Sequence, residues 1–542
     1  MRAPALALAA ALALALPIQA RAADPQWVWH ATAPVEFHRL TQLGTLLVST
    51  ADGLTTLDSA SGAVLWTRGD VRQLKAPDLE ELPLTSCGLL HLGEGLGGLE
   101  RRVESIDFAS GARLWDTRAL PVETIHGVFP APQCTLIVLI GAAGKGLGEV
   151  ALGVDLRTGA LRWRQDALFK RAPKLRRVAG SGGMLFRSAL AGDMPALLEG
   201  PGRMILWVSE DGPLALDLAT GRVAWRCAVE GPAPSIATGH APWMLVGHTV
   251  FASFERGLLA IDARSGLEMW HTFSPFPSVA QRMRLTPFGL VVQGSRVRGE
   301  RGGQEGRPFL DLLDAHTGRS RWLRPPKELH DAGPFTVLGE TLYVAADRRL
   351  LAVTLADGTT RSIASIALQG HDTVTGLEAL DGDLVVTSSQ TTMRLSARGE
   401  KRYERYDPAP TAPAWARTAA AIEFAVNNVL ALLDLYEQGL SGLAGVPGTP
   451  PAGPGLERFQ GADPALTRRY KASREFGACR VVLTHVAEEG RSGIGLLKID
   501  KASGEVRSRV LLNDRTPDIA YDPIDSRVFY VRDGREIVCY GF

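Results

Sequence analysis

Gly93-Glu94-Gly95-Leu96-Gly97-Gly98 carries the GxGxxG spacing of a dinucleotide-binding turn. That chemistry needs a helix after the glycines, whose first amides hold a pyrophosphate. Arg101-Arg102-Val103-Glu104-Ser105-Ile106-Asp107 follows instead and alternates like a strand, so the segment reads as a flexible hairpin turn. Residues 141–148 contain Gly-Lys without a following Ser or Thr, which excludes a P-loop. There is no GxSxG elbow for a hydrolase. The 11 histidines form no HxH, HExxH or Cys/His cluster. His240 and His248 flank an apolar run and read as structural or surface residues. Arg68-Gly69-Asp70 is an adhesion-like tripeptide in a loop between strand-like runs.

The 5 cysteines, Cys87, Cys134, Cys227, Cys479 and Cys539, are scattered and never paired as CxxC. Cys87, Cys134 and Cys479 each precede an apolar run and read as small buried apolar residues before disulfide partners. Lys and Arg number 59 against 58 Asp and Glu, so no global basic bias points to nucleic acid. Two local basic stretches, Lys170–Arg177 and Arg296–Arg307, read as solvated loops. With 45% apolar residues, 58 Gly and 33 Pro, the chain suits a folded core with many turns.

One phrase positions everything else: Asp-x-x-Ser/Thr-Gly-x-x-x-Trp. It runs Asp58/Gly62/Trp66, Asp107/Gly111/Trp115, Asp155/Gly159/Trp163, Asp217/Gly221/Trp225, Asp262/Gly266/Trp270 and Asp314/Gly318/Trp322. Weaker copies keep the glycine at Gly358, Gly399 and Gly504. The Asp and Ser/Thr side chains suit capping of nearby amides in a tight turn, and Gly accepts a positive φ. The Trp on the outgoing strand offers a large packing surface. Two strand-like runs precede each turn, so each unit is four short strands, the content of a β-propeller blade. A single blade cannot bury both faces, so neighbours must stack.

These turns resemble the pyrroloquinoline-quinone-like (PQQ-like) propeller repeats, over most of residues 27–409 and 476–542. The resemblance implies an all-β propeller of 8–10 four-stranded blades, with the 18 Asp, Gly and Trp residues above as blade-docking positions. It covers two groups: quinone-dependent dehydrogenases, and the non-enzymatic scaffold of outer-membrane protein assembly, which this chain resembles more. The dehydrogenases hold the quinone and Ca²⁺ in the propeller funnel, and many stack an adjacent-cysteine disulfide on it. This chain has no Cys-Cys pair, and no catalytic, cofactor-binding or metal-binding residue is assigned.

Closure is also legible. Asp518–Tyr521, Arg527–Val531 and Glu536–Tyr540 make only three strand-like runs at the C-terminal end. The Trp27-Val28-Trp29-His30 run is expected to complete that blade and hide its edge. Residues 411–475 break the pattern. Ile422, Val426, Val429, Leu433 and Tyr436 form an apolar stripe at helical spacing, capped by Thr418 and stopped at Gly439. A Gly/Pro linker over 445–455 and a second, basic helix from Asp463-Pro464 complete the expected insertion.

Arg2, the Ala/Leu run of residues 5–16 and Ala20-Arg21-Ala22 read as a cleavable export signal over residues 1–22, with no lipobox cysteine. The expected order is thus signal 1–22, propeller 23–410, helical insertion 411–475 and last blades 476–542. The expected function is an exported, non-catalytic, monomeric scaffold without cofactor, binding protein partners in the periplasm or outside the cell. The apolar stripe is the expected partner contact. A quinone-dependent dehydrogenase and a ligand-sensing propeller are the alternatives.

Overall fold

The computed structural model describes residues 24–82, 85–94, 100–143, 149–166, 168, 176–177, 186–187, 196–208, 212–227, 243–254, 257–273, 278–296, 307–322, 332–346, 348–369, 372–410, 474–488 and 491–542. The signal segment and the expected helical insertion, including Ile422, Val426, Val429, Leu433 and Tyr436, lie outside them. Among the described residues the architecture is all β, with only three short 3-10 turns beside the strands.

The strands form ten antiparallel blades, numbered here 1 to 10 in chain order. Blade 1 is Val35–Leu40, Thr45–Thr50, Gly53–Asp58 and Val64–Arg68, called strands A to D from the axis outward. Blades 2 to 5 span residues 79–116, 124–165, 196–226 and 243–273. Blades 6 to 9 span 278–313, 332–365, 374–406 and 474–511. Blade 10 is Ile519–Asp522, Arg527–Arg532 and Glu536–Gly541, and its D strand is Pro25–His30 from the other end of the chain. Trp27 to His30 pair with Cys539 to Glu536, so the N-terminal strand closes the ring as the sequence predicts. A small hairpin, Arg176–Arg177 with Phe186–Arg187, stands between blades 3 and 4 in the chain.

Among the described residues nine blades have four strands and blade 6 has three. There the described part of the D position is a bridge between Leu313 and Ser320. Leu312 O accepts from Arg321 N, so Leu312, Leu310 and Pro308 turn their backbone outward.

The core lies between blades. Buried apolar clusters bridge each pair of neighbours from blades 1 and 2 round to blades 7 and 8, then blades 9 and 10, and blades 10 and 1. The joint between blades 8 and 9 differs. Its cluster is Val482, Val486, Leu497 and Ile499, all from blade 9.

Candidate functional site

Each turn is built from its own side chains. In blade 3, Asp155 Oδ1 accepts from Arg157 N at 3.0 Å, Thr158 N at 2.8 Å and Thr158 Oγ1 at 2.9 Å. Gly159 N returns to Asp155 O at 2.9 Å. Burial alone would raise the Asp155 pKa, but the Arg162 guanidinium and the Thr158 donors hold it at about 2. Asp217 is lowered chiefly by the Thr220 hydroxyl. Gly159 has φ 70°, and a Cβ there would sit 2.4 Å from the Trp115 side chain, so glycine is required twice over.

The turn glycines and the tryptophans of one phrase do not meet each other; each glycine receives the tryptophan of the preceding blade. Trp27 lies against Gly62, Trp66 against Gly111, Trp115 against Gly159 and Trp163 against Gly221. Trp225 lies against Gly266 and Trp270 against Gly318 in the same way. A Cβ on Gly62, Gly111, Gly266 or Gly318 would fall 2.4–2.6 Å from that indole. The six Asp/Gly/Trp sets therefore dock across joints, and Gly62 takes its partner from blade 10, where the phrase has no copy.

Past the glycine a bulge inserts one extra residue on strand D, as at Ala224 in blade 4, between the Ala215–Trp225 and Leu216–Val223 pairs. It re-aims the following Trp onto the next blade. Trp66, Trp115, Trp163, Trp225 and Trp270 donate to Phe108 O, Leu156 O, Leu218 O, Ala263 O and Ala315 O at 2.7–2.9 Å. Trp322 reaches Leu355 O at 3.2 Å. In every case the acceptor is the residue just after the first residue of the next turn.

The same carbonyl is served at the other four joints by residues outside the six intact phrases. Trp27 of blade 10 donates to Ser59 O at 3.2 Å. Ser362 takes the Trp position in blade 7, and Tyr343 from strand B reaches Ala397 O at 3.3 Å instead. Tyr403 reaches Lys501 O at 2.6 Å. Ser508 takes the Trp position in blade 9, and Lys498 from strand C reaches Phe542 O at 2.8 Å. Phe542 N donates to Ser526 O, as Lys501 N does to Ala478 O, which marks it as the equivalent residue. Only Tyr403 carried a sequence signal, four residues after Gly399.

Alternating strand direction separates the two faces of the ring. A–B and C–D hairpins open on one face, and all are short. B–C hairpins and blade-to-blade crossings open on the other. On that face lie the strand ends that flank the crossings 165–196, 226–243 and 406–474 and the hairpin 296–307. The chain leaves blade 8 on a fixed base. Arg405 Nε meets both Asp407 oxygens at 2.9–3.0 Å, Thr484 Oγ1 donates to Pro408 O, and Ala409 N donates to the Gln390 side chain.

Buried charge gathers beside that base. Asp372 is buried, and its carboxylate accepts from Thr373 N, Ser388 Oγ, Ser389 N and Oγ, and Gln390 N. Across the joint, buried Arg480 donates to Thr391 O, Thr392 Oγ1 and Ser388 O. Lys501, also buried, lies 2.7 Å from Glu378. A second network joins blades 1 and 2: Glu104 is buried between Arg68 at 2.8 Å and Arg102 at 3.3 Å. Arg68 also pairs with Asp70, which closes the Arg68-Gly69-Asp70 tripeptide on itself.

All five cysteines are free thiols. Cys87, Cys227 and Cys539 are buried, whereas Cys134 and Cys479 are only half-buried, short of the burial their sequence context suggests. His248 is exposed beside Glu199 and Arg264, and His240 lies outside the described residues. Glu100–Asp107 is a strand, so no helix follows Gly93-Glu94. Among the described residues no group of three His, Cys, Asp or Glu side chains is placed to hold a metal ion. Among them, too, no helix is long and apolar enough to cross a membrane.

The family model described as outer membrane protein assembly factor BamB matches residues 20–180 and 99–364, together more than half of the chain. This protein belongs to the PQQ-like repeat propeller family. Within the family its curated relatives include the dehydrogenase subunit of a quinone alcohol dehydrogenase from Gluconacetobacter polyoxogenes. That protein is 29% identical over 146 residues, which are 24% of this chain and 20% of the relative. A quinohemoprotein alcohol dehydrogenase from Comamonas testosteroni is 27% identical over 139 residues, 24% of this chain and 19% of the relative. The match thus spans about a fifth of the length of these relatives. Among solved structures, BamB from Moraxella catarrhalis is 14% identical with a TM-score of 0.32, covering 86% of this chain and 96% of that one. The Comamonas testosteroni enzyme structure is 14% identical with a TM-score of 0.33, covering 70% and 74%.

Proposed function

We propose that this family member is an exported, non-catalytic propeller scaffold that binds protein partners in the cell envelope. The observation that carries this reading is the division of the ring into a face of short turns and a face that receives the long crossings. Rigid rings with long connections on one face are suited to presenting binding segments. The fixed base at Asp407–Ala409 supports presentation of residues 411–473 from a defined place between blades 8 and 9. Within that segment, Ile422, Val426, Val429, Leu433 and Tyr436 are the proposed docking stripe for an apolar groove on the partner. The BamB description of the matching family model agrees with an envelope role.

Replacing residues 411–473 by a Gly/Ser loop, which leaves the blade 9 strand from Arg474 intact, tests the reading in a pull-down from the native envelope. The scaffold role predicts a folded ring that loses its partners. Capture of the same partners by the folded deletion variant would refute the docking stripe.

The quinone dehydrogenase relatives support a second reading, in which the funnel takes pyrroloquinoline quinone and Ca²⁺. Two buried or half-buried carboxylates at blade 8 are already engaged within the protein. Asp372 spends its lone pairs on hydroxyls and amides, and Glu378 faces Lys501. Mature protein supplied with the quinone and Ca²⁺ is expected not to reduce an artificial acceptor with alcohols or aldoses. Stoichiometric quinone binding with substrate-dependent turnover would establish the enzyme.

A further inference from the structure

The joint between blades 8 and 9 is chemically unlike the other nine. Apolar clusters bridge every other pair of neighbours, whereas here, among the described residues, the apolar face of blade 9 has no buried apolar cluster opposite. Val482 and Val486 lie on the face of blade 9 turned toward blade 8, and the facing side of blade 8 carries Glu378, Thr387, Thr392 and Arg394, with Val385 as its buried apolar member. Apart from the Tyr403 ring, which packs on Gly504, the contacts that cross it are polar. Arg480 donates to Thr391 O and Thr392 Oγ1, each at 2.6 Å, Lys501 meets Glu378, and Arg394 Nη1 donates to Ala502 O at 2.6 Å. Thr387 Oγ1 is buried there without a hydrogen-bond partner among the described residues.

We propose that the ring opens at this joint, with blades 8 and 9 separating as intact sheets along the polar wall. Parting an apolar joint exposes its whole area to water, at a cost that grows with that area. Parting a polar joint exchanges protein partners for water, and the guanidinium and ammonium groups recover the hydration that they lost on burial. The same logic makes separable interfaces within a chain more polar than permanent ones. In-blade ladders are unaffected, since none of these contacts belongs to a sheet. The crossing from Tyr406 to Arg474 is also the longest in the ring, so no short tether holds the two blades together. Opening would widen access to the axis between Glu378 and Lys501. The inference is independent of whether the protein is a scaffold or an enzyme.

Neighbouring residues on one strand give the test. Val385 and Val386 are both buried in strand B of blade 8. Val386 belongs to the cluster shared with blade 7, and Val385 points the other way, toward blade 9. Val385→Cys and Val386→Cys are made separately in the mature chain, and thiol alkylation is followed under native conditions by peptide mass spectrometry. Opening at the joint predicts alkylation of the first thiol at least about tenfold faster than the second. Unfolding of blade 8 as a unit would label both at one rate. Val482→Cys, facing blade 8, and Leu483→Cys, facing blade 10, repeat the comparison if either valine variant fails to fold. Equal rates within a pair, or faster labelling of the thiol facing the apolar joint, would overturn the proposal.

Discussion

The Tyr403 hydroxyl donates to Lys501 O at 2.6 Å, in the place that the Trp163 indole takes toward Leu218 O at 2.8 Å. A phenol therefore replaces an indole without loss of the joint's hydrogen bond. The two side chains share an offset, four residues past a positive-φ glycine, so the bulge and turn aim both alike. What is preserved round the ring is a donor to one carbonyl. The residue type that supplies it varies from Trp to Tyr to Lys.

Tyr403→Phe should therefore cost about 0.5–1.5 kcal/mol, the net worth of one hydrogen bond, since the ring still packs on Gly504. Trp225→Ala, which empties a buried indole from the joint between blades 4 and 5, should cost about 3–5 kcal/mol. Urea titrations followed by fluorescence compare the two. An equal loss in both variants would mean that the hydrogen bond, and not the ring's volume, sets the joint's strength.

Two glycines separate backbone strain from docking. Gly200 has φ 57° and nothing within 4 Å of the place a methyl carbon would take, whereas Gly221 has φ 71° and would place that carbon 2.4 Å from Trp163. Gly200→Ala should cost only the left-handed penalty, about 1–2 kcal/mol. Gly221→Ala should cost clearly more, because Trp163 must leave its carbonyl. Near-equal midpoints in denaturant would remove the close approach as a reason for the second glycine.

Much of this was legible in the residues, for a physical reason. Asp, Ser/Thr, Gly and Trp each meet a strict local demand, so their spacing survives as a visible phrase. The phrase does not mark Trp27 as a dock, because the phrase is anchored in a blade's own turn. In blade 10 that turn is replaced by the two ends of the chain. Tyr343 and Lys498 were hidden more deeply. They come from strands B and C, so nothing in linear spacing ties them to Ala397 or Phe542. The blade count stayed between eight and ten for the same cause, with a composite blade 10 and a three-stranded blade 6. The polar joint was invisible as well, since Glu378, Arg480 and Lys501 meet only after the ring has closed.

Acid should loosen the turns in a defined window. The folded pKa of Asp155 is about 2, below its ordinary value of 3.8. Its stabilising contribution is complete above the unfolded value and is lost as pH falls from 3.8 toward 2. Asp58, Asp107, Asp217, Asp262, Asp314 and Asp500 are shifted in the same direction, so the turns should weaken together. Denaturation midpoints measured from about pH 5 downward should fall, and Asp155→Asn should flatten part of that slope. A flat wild-type profile would contradict the turn chemistry.

The thiols should report burial. Burial pushes Cys227 up to about 11 and Cys539 up to about 12, which leaves little thiolate near neutral pH. Native protein treated with a thiol reagent should react first at half-buried Cys134 and Cys479. All five should react after denaturation without reductant. Fewer than five would reveal a disulfide, and early reaction at Cys539 would place the seam between blades 10 and 1 under suspicion.

Lys498 carries the joint between blades 9 and 10. Its ammonium lies 2.8 Å from Phe542 O and 2.9 Å from Ser526 Oγ, with the Tyr521 ring 5.6 Å away. Opposite it in the ladder stands Ser508, where six other blades hold Trp after their glycine. Ser508 Oγ is buried without a partner among the described residues, so the small residue makes room for the lysine but adds no bond of its own. Lys498→Met keeps most of the stem and removes the donor, leaving Phe542 O dependent on water. The expected loss is about 1–3 kcal/mol, the cost of stranding a buried polar group, read as a lower urea midpoint. An unchanged midpoint would mean that water already serves that carbonyl. The ring should still close in the variant, because Leu483, Leu496, Val528 and Tyr540 form an apolar bridge across the same joint.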